Sequence, residues 1–526
     1  MRVLLVDPQY RRERPVRVSQ EAAPRKLSRN DETLWYPPIG LMKLSQFHKL
    51  RGDEVRFANG CDADVCYKGD LFTPAQLWDR VYITTVFTFH FAQIVKTIRF
   101  YLEATGGTLS KIYVGGPMAS IMPEDIFEET GVYPVCGILN SARQLGFDDD
   151  TNIDLLPPDY NLVDGAQYAV NDTYYAFTTK GCTRSCPWCA VPKIEPHFSS
   201  YIDIEPIINE LRLAYGDKST LKLMDNNILA SPELERIVAD LLELGYGRGE
   251  YTGSVRPRQR VVDFNQGIDA RFMNESNMRL IAQLNVRPMR IAFDKLAMKR
   301  AYVDALELGH RHGIEKFSNY MLYNYHDSPR DLYERLMINV ELNEKWLSEG
   351  SETANSKIYG YPMRFAPIHS DNGNLANRKR DLLAPNPREK RDWLEAPAWT
   401  ARFVRNVEII RGAANGAIPP SPEFARRAIG ENFQEFLTNL YMPEELLRNR
   451  NKYERRVYAH EPPRPPGNGL IEDFREFMLA LLRNQDGRFK AFHNAVSSNS
   501  VQEVRKCLKN LDDPELATWL KLYLKR

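Results

Sequence analysis

Short β-branched segments alternate with helical ones twice over in the first 370 residues. Val3-Leu4-Leu5-Val6, Val81–Val86 and Lys111–Val114 each read as a strand, with helical stretches at Gly40–Leu50 and Gln93–Ala104 between them. Strands that alternate with helices lie parallel, because the crossover back to the same end of a sheet takes a dozen or more residues. Residues 1–150 are therefore expected to form a doubly wound α/β domain, and residues 148–170, with Asp148-Asp149-Asp150 and Pro157-Pro158, read as a linker. The second series has strand candidates at Tyr174–Thr179, Leu221–Asp225, Val261–Phe264, Met289–Asp294, Phe317–Tyr323 and Ile358–Met363. Helices are expected to open at Ser231-Pro232-Glu233 and Ser328-Pro329, each a capping Ser followed by Pro at the first helical position. These βα units over residues 171–370 suit a partial (βα)6 barrel of the TIM type, whose ligand chemistry sits at the C-terminal ends of the strands. Strand signals stop at about residue 371. Leu470, Ile471, Phe474, Phe477, Met478, Leu481 and Leu482 recur at helical spacing, so 371–526 is expected to be an all-helical domain with that stripe as core.

Composition narrows the function classes. A chain of 526 residues, 43% hydrophobic and 26% charged, buries a core without needing disulfides. A net charge of +1 gives no whole-chain case for nucleic-acid or membrane binding. No apolar run approaches the ~18 residues that suggest a membrane span. The opening Met1–Tyr10 stretch reads as a first strand and not a signal peptide, which leads to an expected cytoplasmic location. Seven cysteines are too few, and odd in number, for a secreted disulfide framework. Cys61, Cys66, Cys136 and Cys507 stand alone; the other three crowd together.

That crowded segment reads Gly181-Cys182-Thr183-Arg184-Ser185-Cys186-Pro187-Trp188-Cys189, directly after the first strand of the second series. Three thiolates on one tight loop can hold three irons of a 4Fe-4S cluster, and the fourth iron then lacks a protein ligand. An open metal position is where a substrate binds, as in catalytic as opposed to structural zinc sites. The competing reading is a zinc knuckle with His197 as nearest fourth ligand. The three-residue gap, the strand before it and the lack of a second C-x2-C pair count against zinc.

C-x3-C-x2-C with an aromatic residue before the last Cys resembles the signature of radical S-adenosylmethionine (SAM) enzymes. The resemblance implies a 4Fe-4S cluster on Cys182, Cys186 and Cys189 whose unique iron chelates SAM, with Trp188 shaping the SAM side of the loop. It implies a 5′-deoxyadenosyl radical released on one-electron reduction, and an electron donor such as a flavodoxin or ferredoxin. The second strand of the series ends in Asp225-Asn226-Asn227 where the family often has a Gly-Gly-Glu-type turn on the SAM ammonium; a carboxylate and amides offer acceptors for the same task. After the third strand, Arg271 is a candidate for the SAM carboxylate, and Gln266 and Asp269 for the ribose hydroxyls. An Asp269–Arg271 structural ion pair is the alternative. Asp294 ends the fourth strand as a further SAM-side candidate or a helix cap, and Tyr323 ends the fifth near where the family contacts adenine.

Tyr36-Pro37-Pro38-Ile39-Gly40-Leu41 and Val114-Gly115-Gly116-Pro117 resemble the cobalamin-binding, Rossmann-like domain that precedes the barrel in one radical SAM subgroup. Gly115 and Gly116 would let the backbone approach a bulky ligand. The D-x-H-x-x-G pattern that supplies an axial His in many cobalamin domains is absent, the stretch reading Asp7-Pro8-Gln9-Tyr10, so cobalamin would bind without that ligand. His90, in Phe87-Thr88-Phe89-His90-Phe91, reads as a packed histidine. The expected function is radical SAM chemistry on an unidentified substrate, with cobalamin-dependent methylation if cobalamin binds and hydrogen abstraction alone if that domain binds nothing. A third reading is a non-catalytic Fe–S or zinc protein that binds nucleic acid. It rests on basic runs such as Arg378-Lys379-Arg380 and Arg455-Arg456, whose interleaved acids look more like solvated helix faces.

Overall fold

In a computed structural model of the chain, the described residues are 1–8, 34–66, 78–253, 255–349, 356–365, 368, 397–413, 416–458 and 469–524. Gln9, Tyr10, Arg378-Lys379-Arg380 and the expected start of the helical region at 371 lie outside them. The chain divides into two compact units. One comprises Met1–Gln266, Gln283–Asn285 and Ile368–Lys379; the other comprises Gly267–Ala282, Val286–Pro367 and Arg380–Arg526.

The first unit opens with a parallel sheet of β1 (Arg2–Asp7), β2 (Glu54–Asn59), β3 (Arg80–Thr84) and β4 (Ile112–Gly115), in the order β2-β1-β3-β4. β1 is apolar on both faces because each face meets its own core. Val3 and Leu5 pack with Leu41, Leu44 and Phe47 from α1 (Ile39–Leu50), while Leu4 and Val6 pack with Ile94, Ile98 and Val114. β2 lies at the edge, where Glu54 and Arg56 face outward between the apolar residues. Charges on an edge strand discourage pairing with a further chain, and they also hide the strand from a search for β-branched runs.

Residues 148–170 are a packed segment rather than a loose linker. Ile153 belongs to the core of the sheet, and Tyr160, Val163 and Tyr168 are buried. Asp159, almost wholly enclosed, accepts hydrogen bonds from Ser45 Oγ and Lys49 Nζ of α1, both at 2.6 Å. Its polarity serves α1, which composition alone reads as solvent exposure.

The same unit holds a second parallel sheet of β5 (Thr173–Ala176), β6 (Thr220–Leu223) and β7 (Val261–Phe264), in that order. Its register aligns Tyr174, Leu221 and Val262 in one row and Tyr175, Lys222 and Asp263 in the next. Side chains alternate between faces along a strand, so one face is apolar and the other polar. Helices Glu205–Tyr215 and Leu234–Glu243 follow β5 and β6 and bury Ile208, Leu211, Ile237 and Leu241. The second of these begins a turn later than Ser231 suggests; Ser231 Oγ accepts from the Glu233 N–H at 3.0 Å in the lead-in.

The second unit carries β8 (Met289–Ala292), β9 (Lys316–Tyr323) and β10 (Lys357–Arg364), parallel and in the order β10-β9-β8. Helix Pro329–Ser348 is capped by Ser328 in a reciprocal box with Asp331. Helices between Ala401 and Lys521 complete the unit. In the stripe at Leu470–Leu482 every apolar residue predicted as core is buried except Leu470. Two buried side chains close helix ends, where the last carbonyls lack intrahelical donors. Asn406 Nδ2 donates to the carbonyls of Asn439, Leu440 and Met442, and Arg450 donates to those of Arg427 and Ala428. The chain is thus an α/β protein with parallel sheets and a helical C-terminal region. Among the described residues no helix is long and apolar enough to cross a membrane.

Candidate functional site

The cysteine loop leaves the C-terminal end of β5. Cys182, Cys186 and Cys189 are half-buried thiols without disulfides, and Trp188 is likewise half-buried. Gly181 starts the loop at φ 70, and a Cβ there would collide with the carbonyl of His197, so this turn requires glycine. The Cys189 N–H donates to the Cys186 carbonyl at 2.9 Å, which tightens the far end. Cys182 Sγ accepts from Asn227 Nδ2 and from the Arg184 N–H, each at 3.3 Å. Among the described residues no three His, Cys, Asp or Glu side chains converge on a single-ion position. A 4Fe-4S cluster asks something different of its ligands, one thiolate per iron, and amide donors aimed at sulfur suit a thiolate. The donor set fits the cluster.

The loop after β6 supplies the complement. Asp225 is buried, and its Oδ1 accepts from Thr178 Oγ1 and Thr179 Oγ1 at 2.7 Å and from the Thr179 N–H. Burial raises the Asp225 pKa against those donors. Its Oδ2 and the Oδ1 of Asn227 are buried with no hydrogen-bond partner. Buried acceptors left unpaired carry a desolvation cost of about 1–3 kcal/mol each, which a bound donor would relieve. Asn226 turns the other way, its Nδ2 donating to Glu195 Oε2 at 2.6 Å.

Beneath the loop runs a buried chain of charges that the sequence did not disclose. Glu195 Oε2 also accepts the Gly181 N–H at 2.6 Å, and its Oε1 lies 3.6 Å from Lys180 Nζ. Lys180 in turn sits 3.1 Å from Asp154, which pairs with Lys43 of α1 at 3.1 Å. Burial lowers the Lys43 pKa against the pull of Asp154. Burial works to raise the Asp154 pKa, but the two lysines outweigh it and hold the carboxyl below its ordinary value. Only the fold-back that pairs Lys180 with Ser199 brings Glu195 under Gly181. A second polar group missed from sequence is Lys222, whose Nζ donates to Tyr36 Oη at 3.2 Å while Tyr36 donates to Asn265 Oδ1 at 2.5 Å.

At the first sheet, a cleft of about 480 Å³ opens at the ends of β3 and β4. Leu41, Leu44, Tyr82, Val114 and Leu139 give it an apolar wall, and Gly40, Gly115, Gly116 and Gly137 thin the backbone around it. Gly116, at φ 110, lies so close to Thr85 that a Cβ would collide with that carbonyl. Asp7 ends β1 and accepts from Tyr168 Oη at 2.6 Å; burial pushes its carboxyl up to about 6. His90 is half-buried and its ring lies 4.5 Å from that of Phe89, which is 67% exposed. The aromatic cluster there is on the surface.

The remaining predicted residues divide between the units. Gln266 is exposed and ends the long first segment of unit one. Asp269, Arg271, Asp294 and Tyr323 belong to the second unit. Arg271 grips Asp269 with two hydrogen bonds of 2.7 Å, and Asp269 also accepts the Arg271 N–H. Asp294 caps no helix; it accepts the Leu322 N–H at 3.2 Å, and burial raises its pKa. Tyr323 is buried against Trp399, ring centroids 5.2 Å apart, and burial raises its phenol well above the ordinary range.

No family model matches the sequence, and no curated protein matches it. Among solved structures, a radical SAM methyltransferase, TsrM, from Kitasatospora setae with cobalamin and a [4Fe-4S] cluster bound is 12% identical. That alignment covers 68% of this chain and 72% of that one at a TM-score of 0.43. The same enzyme with tryptophan and a SAM analogue aligns over 92% and 99% at 12% identity and a TM-score of 0.45. The cobalamin-dependent radical SAM enzyme OxsB aligns over 99% and 83% at 13% identity and a TM-score of 0.45. Likenesses at this level leave the chemistry to be read from the chain's own side chains.

Proposed function

We propose that the chain is a radical SAM enzyme, with Cys182, Cys186 and Cys189 each holding one iron of a 4Fe-4S cluster. The observation that carries the reading is the pairing of two adjacent loops. One presents three thiols outside any disulfide, with amide donors already on Cys182; the next presents two buried oxygens, Asp225 Oδ2 and Asn227 Oδ1, that lack donors. An ammonium such as that of SAM supplies the missing donors. Held by Cys182, Cys186 and Cys189, a reduced cluster would supply the electron that breaks a SAM carbon–sulfur bond.

The chain's own groups then have definable tasks. Asn227 holds Cys182 Sγ through its amide nitrogen. Thr178 and Thr179 fix Asp225 so that its second oxygen stays available. Gln266, which follows β7 in the same sheet, is assigned to the SAM ribose. The cleft at β3 and β4 is assigned to cobalamin. Its apolar wall suits a flat heteroaromatic portion of that ligand. Cobalamin bound there would supply a methyl carrier for methylation of the substrate.

The test is anaerobic reconstitution of the full chain followed by product analysis with SAM, with and without hydroxocobalamin. The expected result is a brown protein with about four irons per chain, lost together on Cys182→Ala, Cys186→Ala or Cys189→Ala. S-adenosylhomocysteine formed only with cobalamin supports methyl transfer; 5′-deoxyadenosine alone supports hydrogen abstraction. Stoichiometric zinc and no iron would overturn the reading.

A further inference from the structure

Lys43 lies on α1 between Leu41 and Leu44, two residues of the cleft wall, yet its own side chain is buried against Asp154. Asp154 is tied to the same cleft from the other side, because its N–H donates at 2.9 Å to the carbonyl of Leu139, another wall residue. From Asp154 the chain of charges passes to Lys180, which stands immediately before Gly181 and two residues before Cys182. Phe177 lies beneath both ammonium groups, 3.3 Å from Lys180 Nζ and 5.3 Å from that of Lys43, on the stretch that leads into the loop. Glu195 closes the arrangement by accepting the Gly181 N–H and the amide of Asn226.

We infer that Lys43 is a positioning residue for the cysteine loop, acting through Asp154 and Lys180, and that it ties the placement of Cys182 to the wall of the N-terminal cleft. The inference rests on the reading that the three cysteines hold an iron cluster. The physical argument is one of compensation. Lys43, Lys180, Asp154 and Glu195 are two cations and two anions with little access to water, so each holds its place only because its neighbours do. Removing the Lys43 charge leaves Asp154 to a single lysine, and a buried carboxylate short of one partner draws Lys180 toward itself. Lys180 Nζ also lies 3.6 Å from Glu195, which accepts the Gly181 N–H at 2.6 Å, so a shift toward Asp154 loosens the hold of Glu195 on Gly181. The displacement therefore reaches Cys182.

Lys49 provides a matched control. It sits on the same helix and pairs at 2.6 Å with the buried Asp159, but Asp159 leads to Ser45 and Tyr215 instead of the cysteine loop. Full-length Lys43→Met, Lys49→Met and Lys43→Arg are reconstituted with iron and sulfide anaerobically. Iron release to a ferrous chelator and the electron paramagnetic resonance spectrum of the reduced cluster are then measured beside the melting temperature. Lys43→Met should release iron about tenfold faster than the wild type, the scale of lost outer-shell support to a metal site, with altered g-values. Lys49→Met should lose melting temperature yet keep the wild-type cluster, and Lys43→Arg should restore it. Should Lys43→Met fail to fold, Asp154→Asn carries the same expectation. Wild-type release rates and spectra in the Lys43 or Asp154 variant, or equal effects from Lys49→Met, overturn the inference. A wild-type chain that takes up no iron overturns the cluster reading itself.

Discussion

Gly115 and Gly116 end β4 side by side on the cleft wall, and a methyl group added to each meets a different fate. At Gly116 the left-handed backbone and the Thr85 carbonyl act together, so Ala there should cost on the order of 2–5 kcal/mol. Thr85 cannot step aside. Its N–H and hydroxyl both donate to the Gly115 carbonyl, at 2.8 and 3.0 Å, and its hydroxyl accepts the Ala119 N–H at 2.9 Å. At Gly115 the nearest atom to a new Cβ is the Val135 carbonyl oxygen at 3.6 Å, an ordinary contact. Ala at 115 should stabilise by about 0.4–1 kcal/mol, because it restricts the unfolded chain without straining the folded one. Gly115→Leu then adds an apolar branch at the cleft wall from a position where a Cβ makes only an ordinary contact. The assay is retention of hydroxocobalamin by the full chain after desalting, read by absorbance, beside thermal melts of the three variants. Gly115→Leu should lose the ligand and melt like the wild type, whereas Gly116→Ala should melt early whether or not a ligand is present. A Gly115→Leu protein that retains hydroxocobalamin refutes the assignment of this cleft, and a Gly116→Ala protein of wild-type stability refutes the steric argument.

Asp7 makes stability depend on pH: its folded pKa, about 6, lies above the ordinary 3.8. Its contribution is full below pH 4 and is lost as the pH rises through 6, a loss on the order of 3 kcal/mol by pH 8. Asp7→Asn should flatten that slope in urea titrations from pH 4 to 8, and an unchanged slope would assign it to other groups. Arg271→Ala removes the guanidinium that donates two hydrogen bonds to Asp269. Their pairing is part-exposed, so stability in urea titrations should fall by less than about 1 kcal/mol, and a larger loss would refute that reading of the pair. Asn227→Ala removes a donor from Cys182 Sγ and should make the cluster harder to reduce, seen as a lower midpoint potential. An unchanged potential would mean that this hydrogen bond does not reach the metal.

What could be read in the sequence was what local pattern encodes. β7 falls at Val261–Phe264 as its apolar run dictates, and Ser328-Pro329 opens a helix because a capping hydroxyl and a Pro at the first turn act within a few residues. β2 escaped because Glu54 and Arg56 interrupt its apolar pattern at the sheet edge. The segment at 148–170 reads as a linker because runs of acids are usually solvated, whereas Asp154 and Asp159 serve here as buried partners for lysines on α1. The cysteine spacing announced itself, but its support did not. Glu195, Lys43 and Asp154 are far from Gly181 in sequence, and they reach it only once two sheets and a fold-back are in place. Gly116 reads in the sequence as a glycine that lets the backbone approach a ligand, and the fold adds a second demand, since a Cβ there would meet the Thr85 carbonyl.

Asn227 shows why an amide and not a carboxylate stands beside the first cysteine. A primary amide has one donating and one accepting arm held in a single rigid plane. The sulfur of Cys182 accepts, so it draws the nitrogen at 3.3 Å, and this alone decides where the oxygen goes. The oxygen is left buried without a donor, beside an Asp225 whose Oδ1 is saturated by two threonines and whose Oδ2 is empty. A carboxylate at 227 would set a negative charge against a thiolate, and the two cannot both stay ionised in a dry site without strongly shifting one pKa. An alanine would remove the repulsion but also the acceptor. Only an amide serves a thiolate on one side and an ammonium on the other. The same side chain therefore couples the two halves of the site, and Asn227→Asp should cost more iron than Asn227→Ala. Equal iron content in the two variants would show that Cys182 is not a thiolate when the protein is loaded.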